Sequence, residues 1–152
     1  MYSARLILNR LEFQNLDSLV KSNRWNDAGA MLADAARTLE AAGADAIVVC
    51  SNLMHYVAEH VEAAVEIPLL HIGDAVLKEL RAARLNRVGL IGTRFTLEHD
   101  FLLERPAAGA GGGRRRLPVE VITPEAVDFA ELDTIIYAEL CQGIVREASR
   151  AT

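Results

Sequence analysis

The segment 46–55, which reads Ala-Ile-Val-Val-Cys-Ser-Asn-Leu-Met-His, most constrains how this chain can fold. Its first four residues are apolar and include two β-branched valines, which is typical of a buried strand in a parallel sheet. Polar residues follow at once, and a helical pattern begins at Met54. Parallel sheets bind ligands beyond the carboxyl ends of their strands, beside the next helix N-terminus. We therefore predict a functional site at Cys50, Ser51 and Asn52.

Strand-like and helix-like segments alternate along the chain, which predicts an α/β fold with a parallel sheet flanked by helices. Apolar residues at spacings of three and four predict a long amphipathic helix from Trp25 to Ala42, ended by Gly43. Strands are predicted at 4–8, 46–49, 69–72, 88–91 and 119–122. Further helices are predicted from residue 17 or 18 to 21, over 54–65, 75–83 and 97–104 (capped by Thr96), and over 123–150 with a break near Gly143.

The composition changes at residues 105–118, where glycine, alanine, proline and arginine dominate, and this predicts a loop. The predicted strands could form one sheet or divide into two lobes near Asn86. The formal net charge of −5 argues against a nucleic-acid partner, because such binding needs a basic face. No apolar run approaches the roughly 18 residues of a membrane helix, so no membrane partner is expected.

The two cysteines, Cys50 and Cys141, lie far apart in the sequence. Met1 leads directly into a strand-like segment without the pattern of a signal peptide. We therefore expect a cytoplasmic protein whose thiols are reduced. Cys141 falls within a predicted helix, and we expect it to be a packing residue.

Polar and nucleophilic residues recur at the carboxyl ends of the predicted strands. Because these ends share one edge of a parallel sheet, the side chains could converge on one pocket. Asn, Ser and Thr side chains beside helix N-termini suit a small carboxylate or phosphate. Neither a glycine-rich dinucleotide fingerprint nor a Walker loop is present. The residues are Asn9, Cys50, Ser51, Asn52, His71, Asp74, Thr93 and Thr96.

Each candidate also has a simpler interpretation. Cys50 could be a small buried residue or a thiolate favoured by a helix N-terminus. The pairs Ser51 and Asn52, and Thr93 and Thr96, could be caps of turns or helices.

The two histidines near this strand end also have more than one interpretation. His71 could be a hydrogen-bonded core histidine, and His55 a neutral donor in the first turn of a helix. We expect no metal site, because Cys50, His55 and His71 lack the close spacing of metal ligands.

Four segments together resemble the cofactor-independent aspartate/glutamate racemases, in the same order and with similar spacing. They are 43–55 (Gly-Ala-Asp-Ala-Ile-Val-Val-Cys-Ser-Asn-Leu-Met-His), 67–75 (Ile-Pro-Leu-Leu-His-Ile-Gly-Asp-Ala), 88–96 (Val-Gly-Leu-Ile-Gly-Thr-Arg-Phe-Thr) and 137–145 (Tyr-Ala-Glu-Leu-Cys-Gln-Gly-Ile-Val). The resemblance implies two α/β lobes, here 1–86 and a partial 87–152, in a homodimer. It implies an acidic amino acid or dicarboxylate as ligand and no pyridoxal phosphate or other cofactor.

The same resemblance implies a two-base reaction, in which one residue removes the Cα proton and a second returns a proton to the opposite face. Ser51, with Cys50 beside it, stands at the first catalytic position. Asn52, Thr93, Thr96 and Asn9 would hold the substrate, and the carbanion needs such electrostatic support.

The sequence departs from the family pattern in four places. Ser51 and Leu53 flank Asn52 where the family has Cys or Thr before the Asn and Thr after it. The family's Gly-Cys-Thr motif and its opening strand are not in this chain, which we expect to be truncated at both ends. Residues 105–118 stand where a helix would continue. Two alternatives to a racemase are a carboxylate-binding remnant without turnover and a one-cysteine decarboxylase or isomerase of the same superfamily.

Overall fold

The computed structural model describes residues 5–102, 104–106, 114–116 and 119–150. The α-helices are α1 (Phe13–Lys21), α2 (Trp25–Ala41), α3 (Ala58–Glu62), α4 (Ile72–Ala82), α5 (Arg94–Glu98), α6 (Phe129–Ala138) and α7 (Glu147–Arg150). The strands are β1 (Arg87–Gly89), β2 (Glu104–Pro106), β3 (Arg114–Arg116) and β4 (Glu120–Ile122). Short 3₁₀ turns lie at Leu53–Val57, Asp100–Leu102, Ala126–Asp128 and Leu140–Gln142. The chain divides into two compact units, Met1–Ala75 and Val76–Thr152.

The first unit is built around a parallel bridge between Ile47 and Leu69. The Ile47 N–H donates to the Pro68 carbonyl, and the Leu70 N–H donates to the Ile47 carbonyl, both at 2.9 Å. The strands predicted at 46–49 and 69–72 therefore pair in parallel, although Ile47 and Leu69 are the one residue of each that forms the bridge. The buried core that covers this bridge consists of Leu32, Ala36, Ile47, Met54, Val57 and Val61.

Helix α2 confirms the amphipathic pattern read from its spacing. Its buried residues Ala28, Leu32 and Ala36 recur every four positions and face the core. The helix ends at Ala41, and Gly43 follows with a φ of +87°, a left-handed conformation that glycine adopts without a Cβ clash. Local periodicity and one glycine thus set the bounds of the longest helix.

The last turn of α2 is joined to the start of the second strand-like segment by a carboxylate. Glu40 Oε1 accepts the Glu66 N–H at 2.8 Å and the Ile67 N–H at 3.1 Å. These two amides precede the bridged residue Leu69, so the bonds hold the chain as it enters the parallel pairing. A side chain on a helix therefore positions the backbone that leads to Leu69.

The second unit contains a parallel pair and an antiparallel pair of strands. β1 and β4 are parallel, with Val88 opposite Val121, and β2 and β3 are antiparallel. Helices α5 and α6 contact each other in this unit. With the parallel pairing in each unit and the flanking helices, the chain has the α/β fold that the alternation of segments predicted.

Several element boundaries differ from the predictions. Residues 5–8 are not in a strand, and the exposed fractions of Leu6 and Leu8 are 89% and 85%, because no described segment pairs with them. Helix α1 begins at Phe13 instead of at an Asp17 or Ser18 cap. The segment predicted as one helix over 54–65 is a 3₁₀ turn followed by α3. Helix α4 begins at Ile72, so His71 lies at the helix start and not inside a strand.

The loop predicted at 105–118 is wrong where the structure describes it. Arg105 pairs with Arg115, and Pro106 with Arg114, in the β2–β3 ladder. Backbone pairing does not require apolar side chains, which is why composition missed it. Residues 107–113 and 117–118 lie outside the described residues.

The same part of the chain contains a second correction. The helix predicted over 97–104 ends at Glu98 and is followed by the 3₁₀ turn at Asp100–Leu102. In the 123–150 region, the helical pattern is broken at Gly143 as predicted, with a φ of +72°. Across the described ranges, no helix is long and apolar enough to cross a membrane. The lobe boundary near Asn86 stays a prediction.

Candidate functional site

The strand end at residues 47–51 shows alternating exposure. Ile47 is 3% exposed and Val48 is 60% exposed. Cys50 is exposed and Ser51 is half-buried. Because successive side chains of an extended segment point to opposite faces, Cys50 shares the face of Val48 and Ser51 shares the face of Ile47. The interpretation of Cys50 as a buried packing residue is therefore wrong.

Ser51 and Asn52 begin the 3₁₀ turn at Leu53–Val57. The Met54 N–H donates to Ser51 Oγ at 3.4 Å, so the serine caps the turn. The Asn52 carbonyl accepts the His55 N–H at 3.2 Å, but the Asn52 side chain makes no capping bond and is exposed. Ser51 is thus a cap, as its simpler interpretation predicted, whereas the carboxamide of Asn52 is exposed to solvent.

Two buried histidines follow Ser51 and Asn52: His55 lies within the turn, and His71 lies directly before α4. His55 and His71 are each 3% exposed, and their ring centroids are 4.4 Å apart in an edge-to-face arrangement. His55 Nδ1 donates to the Ser51 carbonyl at 2.7 Å, and His55 Nε2 accepts the Ile72 N–H at 3.3 Å. The ring of His55 therefore joins the Ser51 peptide to the start of α4.

The N-terminus of α4 is occupied by protein groups. The Ile72 N–H bonds to His55, and the Gly73 N–H donates to His71 Nδ1 at 3.0 Å. His71 is buried and hydrogen-bonded, as expected of a core histidine, and it acts as a helix cap. The helix N-terminal amides predicted to suit a small carboxylate or phosphate are here, at Ile72 and Gly73, hydrogen-bonded to histidine rings.

Thr93 and Thr96 lie together at the start of α5, in the second unit. Thr93 Oγ1 accepts the Thr96 N–H at 3.4 Å, and the two hydroxyl oxygens are 3.1 Å apart. Thr93 is extended, with φ −64° and ψ 156°, so it is the cap and Thr96 is inside the helix. The prediction of Thr96 as the cap is wrong by three residues, because either threonine could cap a helix from its sequence alone.

Asp133 on α6 anchors the same turn and was missed by sequence reasoning. Its Oδ1 accepts the Arg94 N–H at 2.8 Å, and its Oδ2 lies 3.8 Å from Arg94 Nε. The two residues are 39 positions apart, so no local pattern connects them. The helix pairing of α5 with α6 is what places the carboxylate at this amide.

The remaining candidates are Asn9, Asp74 and Cys141. Asn9 Nδ2 donates to the Ala35 carbonyl of α2 at 3.5 Å, so one of its donors is used within the first unit. Asp74 is exposed in the first turn of α4. Cys141 is exposed in the turn at Leu140–Gln142, so the expectation of a packing residue is wrong. Within the described ranges, no three His, Cys, Asp or Glu side chains are placed to hold a metal ion.

Cys50, Ser51 and the exposed Asn52 thus lie in succession at a strand end of an α/β fold. The Asp/Glu/Hydantoin racemase family model matches residues 9–151. This chain belongs to that family.

Two solved structures agree with this assignment. A Yersinia pestis protein provisionally described as an Asp/Glu racemase is 40% identical, with a TM-score of 0.84, over 99% of this chain. PH1733, an aspartate racemase homologue from Pyrococcus horikoshii OT3, is 28% identical, with a TM-score of 0.73, over 94% of this chain. The chain spans 63% and 59% of the lengths of these two proteins.

Proposed function

We propose that this chain binds an acidic amino acid and transfers the proton at its Cα without pyridoxal phosphate. The racemase family match over residues 9–151 carries this proposal. The proposed aspartate/glutamate class of substrate is supported by the two similar proteins, which are described as a provisional Asp/Glu racemase and an aspartate racemase homologue. Full racemisation, by two bases on opposite faces and in a homodimer, is the activity proposed for the complete assembly.

Ser51 and Cys50 are the proposed proton-transfer residues of the strand end. The Met54 N–H that donates to Ser51 Oγ favours negative charge on that oxygen, because a donor stabilises an anion. Cys50 carries the more acidic group but lies on the opposite face of the segment. The exposed carboxamide of Asn52 is the proposed contact to a substrate carboxylate. Thr93, Thr96 and Asn9 are proposed as further substrate contacts.

Loss of the Cα proton in D₂O tests this function most directly. L-Aspartate and L-glutamate, each at millimolar concentration, are incubated with the protein, and the Cα–H signal is followed by NMR. We expect the signal to decay faster with protein than without it. Exchange with retention of configuration would indicate one working base, and exchange with racemisation would indicate two. Absence of exchange for both substrates would overturn the proposal.

Substitutions then identify the residue that acts. Ser51→Ala is expected to abolish exchange if the hydroxyl is the base, and Cys50→Ala if the thiol is. Cys141→Ala is the matched control, because Cys141 is also an exposed free thiol but belongs to the second unit. Unchanged exchange in both Ser51→Ala and Cys50→Ala would remove these two residues from the site.

A second candidate function is carboxylate binding without turnover. The observation that favours it is the exposed carboxamide of Asn52, which can hold a carboxylate without any proton transfer, whereas a serine hydroxyl is a weak acid without a dedicated base. A dicarboxylate that raises the melting temperature, in a protein that catalyses no Cα–H exchange, would support this function over the first.

A further inference from the structure

His55 makes two hydrogen bonds that fix the position of its proton. Its Nδ1 lies 2.7 Å from the Ser51 carbonyl oxygen, which can only accept. Its Nε2 lies 3.3 Å from the Ile72 N–H, which can only donate. The partners therefore assign the neutral tautomer with hydrogen on Nδ1 and a bare Nε2.

His71 has the opposite arrangement. Its Nδ1 accepts the Gly73 N–H at 3.0 Å, so in the neutral ring the hydrogen is on Nε2. Both rings accept hydrogen bonds from backbone amides at the N-terminus of α4, where a positive charge is unfavourable. The pair thus holds the start of α4 with two uncharged rings instead of with a ligand.

The Ser51 carbonyl belongs to the peptide group that also carries the Asn52 N–H. Because a peptide group is planar, holding the carbonyl oxygen also sets the direction of the Asn52 N–H and limits rotation between the two residues. His55 is itself held by Ile72, 17 positions further along the chain. The orientation of the Ser51–Asn52 peptide therefore depends on α4 as well as on the turn that follows it.

We propose that His55 is a positioning residue for this site: it aligns Ser51 and Asn52 for proton transfer without touching the substrate. This inference rests on the proposed function, in which Ser51 and Asn52 act on the amino acid. A histidine needed only for core volume would require its shape but neither of its ring nitrogens. The bridge between Ser51 and Ile72 requires both.

The tautomer can be measured on the intact wild-type protein, without activity and without a variant. The protein is labelled with ¹⁵N in its histidine rings, and the ring nitrogens are assigned by NMR at pH 7.5. We expect His55 as the Nδ1–H tautomer and His71 as the Nε2–H tautomer. A charged His55, or a His55 with hydrogen on Nε2, would overturn the proposal.

Two variants separate the two ends of the bridge. His55→Asn keeps a donor near the Nδ1 position, and His55→Gln offers an amide oxygen near the Nε2 position. His99→Asn is the matched control, because His99 Nδ1 donates to the Phe95 carbonyl four positions earlier at 2.9 Å, in the second unit. The readouts are the Asn52 amide chemical shift, the kcat and KM of L-aspartate Cα–H exchange, and the urea midpoint.

We expect His55→Gln to shift the Asn52 amide and to lower kcat about 100-fold, the scale of a misplaced catalytic group, with KM changed less than kcat. His55→Asn keeps only the bond to the Ser51 carbonyl, so it is expected to shift the Asn52 amide and to lower kcat less than His55→Gln does, and His99→Asn is expected to leave both readouts unchanged. If His55→Gln lowers only the urea midpoint and keeps the wild-type kcat, His55 has a structural role and the proposal is wrong. If no protein catalyses exchange, the proposed function fails, and the Asn52 shift still supports or overturns positioning by His55.

Discussion

Replacing Glu40 by alanine removes both bonds that join the end of α2 to the entry of the second strand-like segment. Its Oε1 accepts the Glu66 N–H at 2.8 Å and the Ile67 N–H at 3.1 Å. A hydrogen bond to a charged group contributes about 1.5–3 kcal/mol when buried, and less when solvent screens it. Glu40 is half-buried and Glu66 is exposed, so about 1 kcal/mol for each bond is reasonable. We expect Glu40→Ala to lower the free energy of unfolding by about 2 kcal/mol.

Glu40→Gln is the matched control for this prediction. A glutamine side-chain oxygen can accept the same two amides but carries no charge. Glu40→Gln is expected to lower the free energy of unfolding by less than about 1 kcal/mol, since the hydrogen bonds remain. The difference between the two variants therefore measures the hydrogen bonds apart from the charge.

Urea unfolding followed by tryptophan fluorescence suits this measurement. Trp25 is the single tryptophan of the chain and starts α2, the helix that carries Glu40. The signal therefore reports on the unit in which the bonds are lost. If the two variants have the same free energy of unfolding within about 0.5 kcal/mol, the two amide bonds do not stabilise the fold and the reasoning is refuted.

Three further predictions concern other contacts. A Cβ on Gly29 would lie 2.5 Å from His60 Cγ, so Gly29→Ala should lower the free energy of unfolding by about 1 kcal/mol after its gain in helix propensity is counted. In a His60→Ala background the clash is absent, and Gly29→Ala should raise the free energy of unfolding. Urea unfolding that shows the same sign in both backgrounds would contradict this prediction. Thr93→Ala should lower the free energy of unfolding by about 1 kcal/mol and speed amide hydrogen exchange within α5, whereas Thr93→Ser should keep the cap. Equal exchange rates in the two variants would exclude capping by Thr93. Asp133→Ala should expose the Arg94 amide to faster exchange and Asp133→Asn should not, because Asn keeps an acceptor; protection unchanged in Asp133→Ala would show that the bond is not formed.

The features that sequence reasoning predicted correctly depend on neighbours along the chain. The apolar spacing from Trp25 onwards predicted α2, and Gly43 predicted its end, because both reflect backbone conformation within a few residues. The apolar run before Cys50 predicted a parallel pairing, which the Ile47–Leu69 bridge confirms. The strand predicted at 4–8 is not formed at the described residues 5–8, because an apolar run forms a strand only where another segment pairs with its backbone.

The candidate site divides in the same way. The position of Ser51 and Asn52 at a strand end followed from the local sequence pattern. The hydrogen-bond partners of His55 and His71 did not follow, because the ring of His55 could bond to any group that packing brings near it. The cap of α5 was predicted at Thr96 but lies at Thr93, because the residue type does not distinguish two threonines three positions apart.

The sequence by itself determined the α/β class, the long helix α2, the polar end of the strand at Cys50 to Asn52, and the racemase family. Each of these depends on the spacing or the order of residues over short stretches of the chain. Only the tertiary structure decided that His55 joins the Ser51 peptide to Ile72, and that Asp133 holds the Arg94 amide. These bonds join residues 17 and 39 positions apart, and such pairs form only when long-range packing brings a donor and an acceptor within about 3 Å.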